Sequence, residues 1–157
     1  MFWTKKKHGS IFSICDGQTL NLSEVPDPVF SEKILGDGVA IIPESQEIFS
    51  PVSGKIVQVF DTKHAYSILS DDGLEILVHI GLNTVELNSK GFEAFVRAGD
   101  IVKIGDKIAE VNIECIESMG YQLYTPIIIT NHNDIEIKEI KYGNVKNGDE
   151  IISYVKK

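Results

Sequence analysis

Two histidines stand in runs that otherwise read as buried strand: His79 in "ILVHIGLNTVEL", residues 76–87, and His64, fifteen positions upstream, in "VFDTKHAYSIL", residues 59–69. Imidazole in such a place can pack in a core, ligate a metal, or act as a nucleophile. It is largely neutral near neutral pH, with an unperturbed pKa of about 6.5. A two-residue period over 74–83 puts Leu74, Ile76, Val78, Ile80 and Leu82 on one wholly apolar face, which must be core. Glu75, Leu77, His79, Gly81 and Asn83 take the other face. His79 is therefore expected to point outward beside Leu77, with Gly81 leaving open space next to it. A glycine within a strand often marks close approach by another group. The same period over 56–68 places Thr62 and His64 on one face, together with Phe60 and Tyr66. A Thr62 hydroxyl there can fix one nitrogen of His64 and leave the other facing a ligand. Two unrelated half-exposed histidines are the alternative. His8, in the first dozen residues, and His132, in "TNHND", sit among tail or turn residues and are expected to be solvated.

The elements that must hold this pair are strands. "GKIVQVF", "AYSIL", "LEILVHI", "DIVKI", "KIAEV", "PIIIT", "IEIKEI" and "EIISYV" are short apolar or alternating runs, mostly separated by Gly, Asp, Asn or Pro. That pattern is an all-β antiparallel sandwich or barrel. Helix is scarce. "DPVFSEKI" predicts one turn with Pro28 near its start. "GFEAFVRAG", 91–99, predicts two turns with Phe92, Phe95 and Val96 on one face. "NIECIESMGYQLY" predicts another short helix. There is also an internal echo. "GDIVKIGDKIAEV" at Gly99 returns as "GNVKNGDEIISYV" at Gly143, and "GDGVAI" at Gly36 returns as "DDGLEI" at Asp71. Turn and strand recurring together predict a duplicated β structure in one compact domain.

Composition sets limits on partners. The 157 residues suffice for one domain with a sizeable core, and the formal net charge is −8. Phosphates repel such a surface, so nucleic acid is an unsuitable partner and a basic protein a better one. No apolar run approaches the roughly 18 residues of a membrane span. Residues 1–12 read as a flexible tail ahead of a domain at 13–157. The tail lacks the apolar core of a secretory signal. Its Phe2 and Trp3 beside Lys5, Lys6 and Lys7 would permit weak contact with an anionic membrane. Cys15 and Cys115 have no CxxC spacing, which predicts free thiols in a reducing cytoplasm.

"EVPDPVFSEKILGDGVAI", "SPVSGKIVQVFDTKHAYSI", "GLEILVHIGLNTVEL" and "GDIVKIGDKI", in collinear order over about residues 13–155, resemble the glucose-type IIA component of the bacterial phosphoenolpyruvate-dependent sugar phosphotransferase system. The resemblance implies an antiparallel β-sandwich of duplicated half-barrels with a few short helical turns. It implies that His79 is the phosphorylated residue, His64 its partner and Thr62 the group that orients the partner. It implies a phosphoryl donor, the phosphocarrier protein HPr, and an acceptor, a sugar-specific IIB domain. Regulatory protein targets can share the same face in this family. The apolar docking ring maps onto Val29, Phe30, Ile34, Leu35, Phe60 and Leu77, and Asp27 onto an acidic rim position facing basic residues of HPr. The sequence departs from the family at Asn83, where an aspartate is common, and at "SICDGQTLNL", where many members carry an Ala-Pro-x-Ser-Gly turn. Losing the charge at Asn83 is expected to weaken attraction to a basic partner or to alter partner choice. Members are often fused to permease domains. The chain, beginning with methionine, is expected to be free-standing or excised from such a fusion.

No cofactor is expected beyond a transient phosphohistidine, although the two histidines would permit a zinc shared with a partner protein. Three other readings compete. A zinc-dependent hydrolase of similar fold needs three protein ligands and a base, and neither HxH nor HExxH is present. A lipoyl- or biotin-type carrier needs its lysine at a hairpin tip, and Lys107 in "VKIGDKIAEV" lacks that setting. A purely regulatory binding protein would use the same face without transfer.

Overall fold

The computed structural model describes residues 7–157. Among them run fourteen strands: β1 (His8–Phe12), β2 (Gly17–Leu20), β3 (Asp37–Pro43), β4 (Glu47–Phe49), β5 (Gly54–Val59), β6 (Ala65–Ser70), β7 (Glu75–His79), β8 (Phe92–Ala94), β9 (Ile101–Val102), β10 (Lys107–Val111), β11 (Thr125–Ile129), β12 (Ile135–Ile140), β13 (Gly143–Val145) and β14 (Glu150–Lys156). Two short helices, α1 (Pro28–Ser31) and α2 (Ile113–Ser118), join them. The asparagine and aspartate caps explain where the helices begin. The Asn112 side chain accepts from the Cys115 N–H and that of Asp27 from the Val29 N–H, with Pro28 in the first turn of α1.

Every strand pairing is antiparallel. The large sheet runs β13-β2-β3-β11-β7-β6-β5-β9, and two smaller sheets run β1-β14-β12 and β4-β10-β8. The echo in the sequence is physical. β9 and β13 close opposite ends of the large sheet, and the strands that follow them, β10 and β14, are the middle strands of the two small ones. The intervening turns match bond for bond. Asp106 accepts from the Lys103 N–H at 2.8 Å, and Asp149 from the Lys146 N–H at 2.9 Å. The main core lies between the sheets and is largely isoleucine and valine. A smaller cluster of Leu22, Val25, Phe30, Ala40, Leu82 and Ile128 lies beneath α1 and the 3-10 turn at Leu22–Glu24.

Three expectations change. His8–Phe12, read as the end of a tail, is strand β1, paired with β14 from His8↔Val155 to Phe12↔Glu150, and Ile11 is fully buried. Of the residues named for membrane contact, Phe2, Trp3, Lys5 and Lys6 lie outside the described residues, and Lys7 is exposed. The predicted helix at 91–99 is instead β8, paired with β10 at Ala109↔Ala94 and Val111↔Phe92. Its apolar spacing fits either period over so short a run, and the open edge of β10 decides. Finally, Tyr66 is not part of the ring cluster around His64, whose ring contacts are Phe60 and His79. It is fully buried in the core, and its hydroxyl has no hydrogen-bond partner among the described residues. An unpaired buried hydroxyl costs about 1–3 kcal/mol. Tyr66→Phe should therefore raise stability in urea denaturation by about 1 kcal/mol, and a loss of that size would show that the hydroxyl has a partner.

Candidate functional site

The inward row of β7 and its extension is as the alternation predicts: Leu74, Ile76, Val78, Ile80 and Leu82 are all buried. His79 is half-buried on the opposite face with Leu77. The strand stops at His79. Gly81 then turns the chain at φ +78°, a conformation that favours glycine. The expected gap at Gly81 is absent, because a Cβ there would meet the Thr84 methyl at 2.6 Å. What Gly81 offers is its carbonyl, 2.8 Å from His79 Nδ1. A carbonyl only accepts, so Nδ1 carries the proton and the lone pair of the neutral ring sits on Nε2.

His64 reaches the site from a hairpin loop and not from a continuous strand. β5 ends at Val59 and β6 begins at Ala65, with the loop closed by Phe60 N–H to Ala65 O and Lys63 N–H to Phe60 O. Lys63, at φ +58°, turns the chain so that Thr62 and His64 still meet, with Oγ1 to Nδ1 at 2.6 Å. The His64 carbonyl accepts from the Ile80 N–H at 2.7 Å, which pins the two histidine segments together through the backbone. The rings of His64 and His79 lie 4.8 Å apart, nearly perpendicular at 85°. Phe30 flanks His79 at 5.1 Å and Phe60 flanks His64 at 5.7 Å. Four rings thus stand in a row, and the Nε2 atoms of the inner two have no hydrogen-bond partner among the described residues.

Both imidazoles are held neutral. Burial, with the nearby His79 as a smaller cause, pushes His64 down to about 4. Burial also lowers His79, partly offset by its bond to the Gly81 carbonyl and the charge of Asp27. Asp27 thus both caps α1 and projects a negative charge onto His79.

Around the pair, Val29, Ile34 and Leu35 are exposed, Ile34 most of all at 65%. Phe60 and Leu77 are half-buried. Phe30 is only 4% exposed, so it is a wall of the site and not part of an open patch, because α1 turns it down into the smaller cluster. Asn83 is exposed in a left-handed conformation. Exposed Val85, on the 3-10 turn Thr84–Leu87, was not foreseen. Neither was Thr84, which has no periodicity to betray it. His8, in β1, and His132, in a turn before β12, make no ring contact with the pair.

The described residues contain no group of three or more His, Cys, Asp or Glu side chains that could hold a metal ion, so the hydrolase reading finds no third ligand. The carrier reading fails on Lys107. It opens β10, pairs with Glu110 and with Glu47, and lies 4.1 Å over the Phe95 ring. No helix among the described residues is long and apolar enough to cross a membrane.

Fold and site together define an all-β protein of two echoing halves that carries a paired-histidine face. The chain belongs to the EIIA 1 family of the phosphoenolpyruvate-dependent sugar phosphotransferase system, whose family model matches residues 9–135. It is 44% identical to a PTS system glucose-specific EIIA component of Mycoplasma capricolum over 94% of this chain and 96% of that one. It is 46% identical to one of Oceanobacillus iheyensis, over 88% of this chain and 85% of that one. It is also 41% identical to a PTS system glucose-specific EIICBA component of Staphylococcus carnosus, covering 92% of this chain and only 21% of that longer protein. The solved structure of glucose permease IIA from Mycoplasma capricolum superposes with a TM-score of 0.91 at 42% identity, over 97% of this chain and 99% of that one.

Proposed function

We propose that this chain is a cytoplasmic phosphocarrier for coupled sugar uptake and phosphorylation, taking a phosphoryl group from phospho-HPr on His79 Nε2 and passing it to a IIB domain. The observation that carries the reading is the site's division of labour. Each Nδ1 is occupied, His79's by a carbonyl and His64's by a threonine hydroxyl, and each Nε2 is left without a partner among the described residues, on rings whose centres lie 4.8 Å apart. The longer EIICBA relative supports a IIB acceptor.

In the first transfer, His79 Nε2 uses its lone pair to bond phosphorus as the nitrogen–phosphorus bond on HPr breaks. The bonding pair leaves with the HPr imidazole. Transfer of this kind passes through a loose transition state with charge on the equatorial oxygens, so positioning and donors do most of the work. The Thr62 hydroxyl can donate to Nδ1 of His64, which puts the His64 proton on Nε2, where it can donate to a phosphoryl oxygen. A phosphoryl dianion beside His64 favours its cationic form and opposes the burial that holds it neutral. Phosphorylated His79 keeps its Nδ1 proton, so its ring is cationic and the Gly81 carbonyl stabilises it. That ring is a good leaving group for the second transfer. The scheme uses no metal. The flanking apolar residues exclude water when a partner docks.

The test is to supply phosphoenolpyruvate, enzyme I and HPr and to look for acid-labile, base-stable phosphate on this chain. Its absence under conditions that phosphorylate HPr would overturn the proposal. The docking surface has its own check. Ile34→Lys should weaken HPr binding about tenfold by calorimetry, since apolar anchors carry most interface energy. Its melting temperature should hardly change, as for other exposed positions. Unchanged affinity would remove α1 and its flank from the interface.

A further inference from the structure

Backbone strain in this fold is concentrated around the histidine pair. Among the described residues the non-glycine positions with positive φ are Lys33, Lys63, Asn83, Asn88 and Ser89, and all but Lys33 lie in the segments that carry or follow His64 and His79. Left-handed backbone costs a non-glycine residue about 1–2 kcal/mol, so it persists where its surroundings over-determine it. Asparagine tolerates that conformation; Lys63 and Ser89 have no such excuse.

The segment from Thr84 to Ser89 touches both histidine loops. At one end Thr84, fully buried, donates its hydroxyl to the Ile80 carbonyl at 2.6 Å, and its methyl fills the space beside Gly81. Ile80 is also the residue whose N–H the His64 carbonyl receives. Gly81 is the residue whose carbonyl fixes the His79 proton. At the other end Ser89 donates its hydroxyl to the Asp61 carbonyl at 3.0 Å, one residue before Thr62. Between these ends the chain forms a 3-10 turn, closed by Glu86 N–H to Asn83 O and Asn88 N–H to Val85 O.

We infer that Thr84–Ser89 is a clamp that sets the spacing and ring orientation of the two histidines, with Thr84 and Ser89 as positioning residues. Thr84 governs the His79 loop and Ser89 the His64 loop. Its bearing on transfer rests on the phosphocarrier reading; its bearing on ring geometry does not.

The experiment is nitrogen-15 NMR of the imidazoles in the full, unphosphorylated chain, combined with transfer from phospho-HPr. Thr84→Val keeps the side-chain shape and removes the hydroxyl. It should reduce the fraction of His79 protonated on Nδ1 and lower kcat about tenfold, with KM for HPr unchanged, since small misplacements of reacting groups are costly. Thr84→Ser should restore the NMR signature. Ser89→Ala, on an exposed loop where folding is not at stake, should shift the His64 titration and leave the His79 tautomer alone. Wild-type imidazole spectra and kcat in Thr84→Val and Ser89→Ala would overturn the clamp. If wild-type chain takes no phosphate, the functional reading falls, and the spectra still decide the clamp.

Discussion

His79→Ala should take no phosphate from phospho-HPr, a loss of more than about 10³-fold in labelling, because removing a nucleophile removes the bond that would form. Its fold should survive. The half-buried ring packs beside Phe30 and His64 but contributes nothing to the inward row of β7. The expected destabilisation is about 1 kcal/mol, typical of a substitution that neither opens a deep cavity nor strands a charge. Radiolabel transfer and urea denaturation on the same preparation separate the two effects. Label persisting on His64 would reverse the roles of the pair.

Replacing His64 should slow transfer without preventing it. His64→Gln keeps an N–H donor but never a positive charge, and charge-assisted hydrogen bonds are roughly twice as strong as neutral ones. Rapid-quench transfer should fall by about tenfold, equivalent to about 1.4 kcal/mol of barrier. His64→Ala should fall further, and Thr62→Val less than either, since the ring remains and only its orienting bond is lost. Equal rates for wild type and His64→Ala would make His64 a bystander. The same residue should leave a mark on acid stability. Its pKa is about 4 when folded, against an ordinary 6.5. Below 6.5 the unfolded chain therefore binds more protons at this position than the folded one. Stability is fully present above about pH 6.5 and is lost as pH falls towards 4. The loss follows from the extra proton that the unfolded chain takes up there. His64→Gln should shed that slope, so the stability difference between mutant and wild type should move in the mutant's favour between pH 7 and pH 4.5.

The alternation around His79 was legible because a row of five aliphatic residues admits only one inward face. Thr62 and His64 were correctly paired from their spacing, but for the wrong reason. A hairpin loop bent at Lys63 brings them together, and the pleat assumed for that stretch would have put Tyr66 beside them. Phe30 was assigned to the open surface because a one-turn helix has too few residues to show which way it faces. It is the cluster of Leu22, Val25, Ala40, Leu82 and Ile128 that draws it down. The Gly81 carbonyl and the Thr84 hydroxyl were hidden for a different reason. Their roles depend on backbone direction and on a contact to a main-chain oxygen, neither of which residue type encodes.

The pairing of β1 with β14 has a consequence for synthesis. β14 is the middle strand of its sheet, flanked by β1 from the start of the chain and β12 from near its end. A ribosome delivers residues 8–12 long before residues 150–156, so β1 waits without its partner while all the strands between them are made. The histidine hairpin has no such delay, since β5, β6 and β7 are close in sequence and pair with one another. Pairings of long sequence separation form slowly, and unpaired strand edges invite aggregation in the meantime. The emerging chain should therefore hold a formed histidine hairpin well before β14 is made, and arrival of β14 should be the step that completes the β1-β14-β12 sheet.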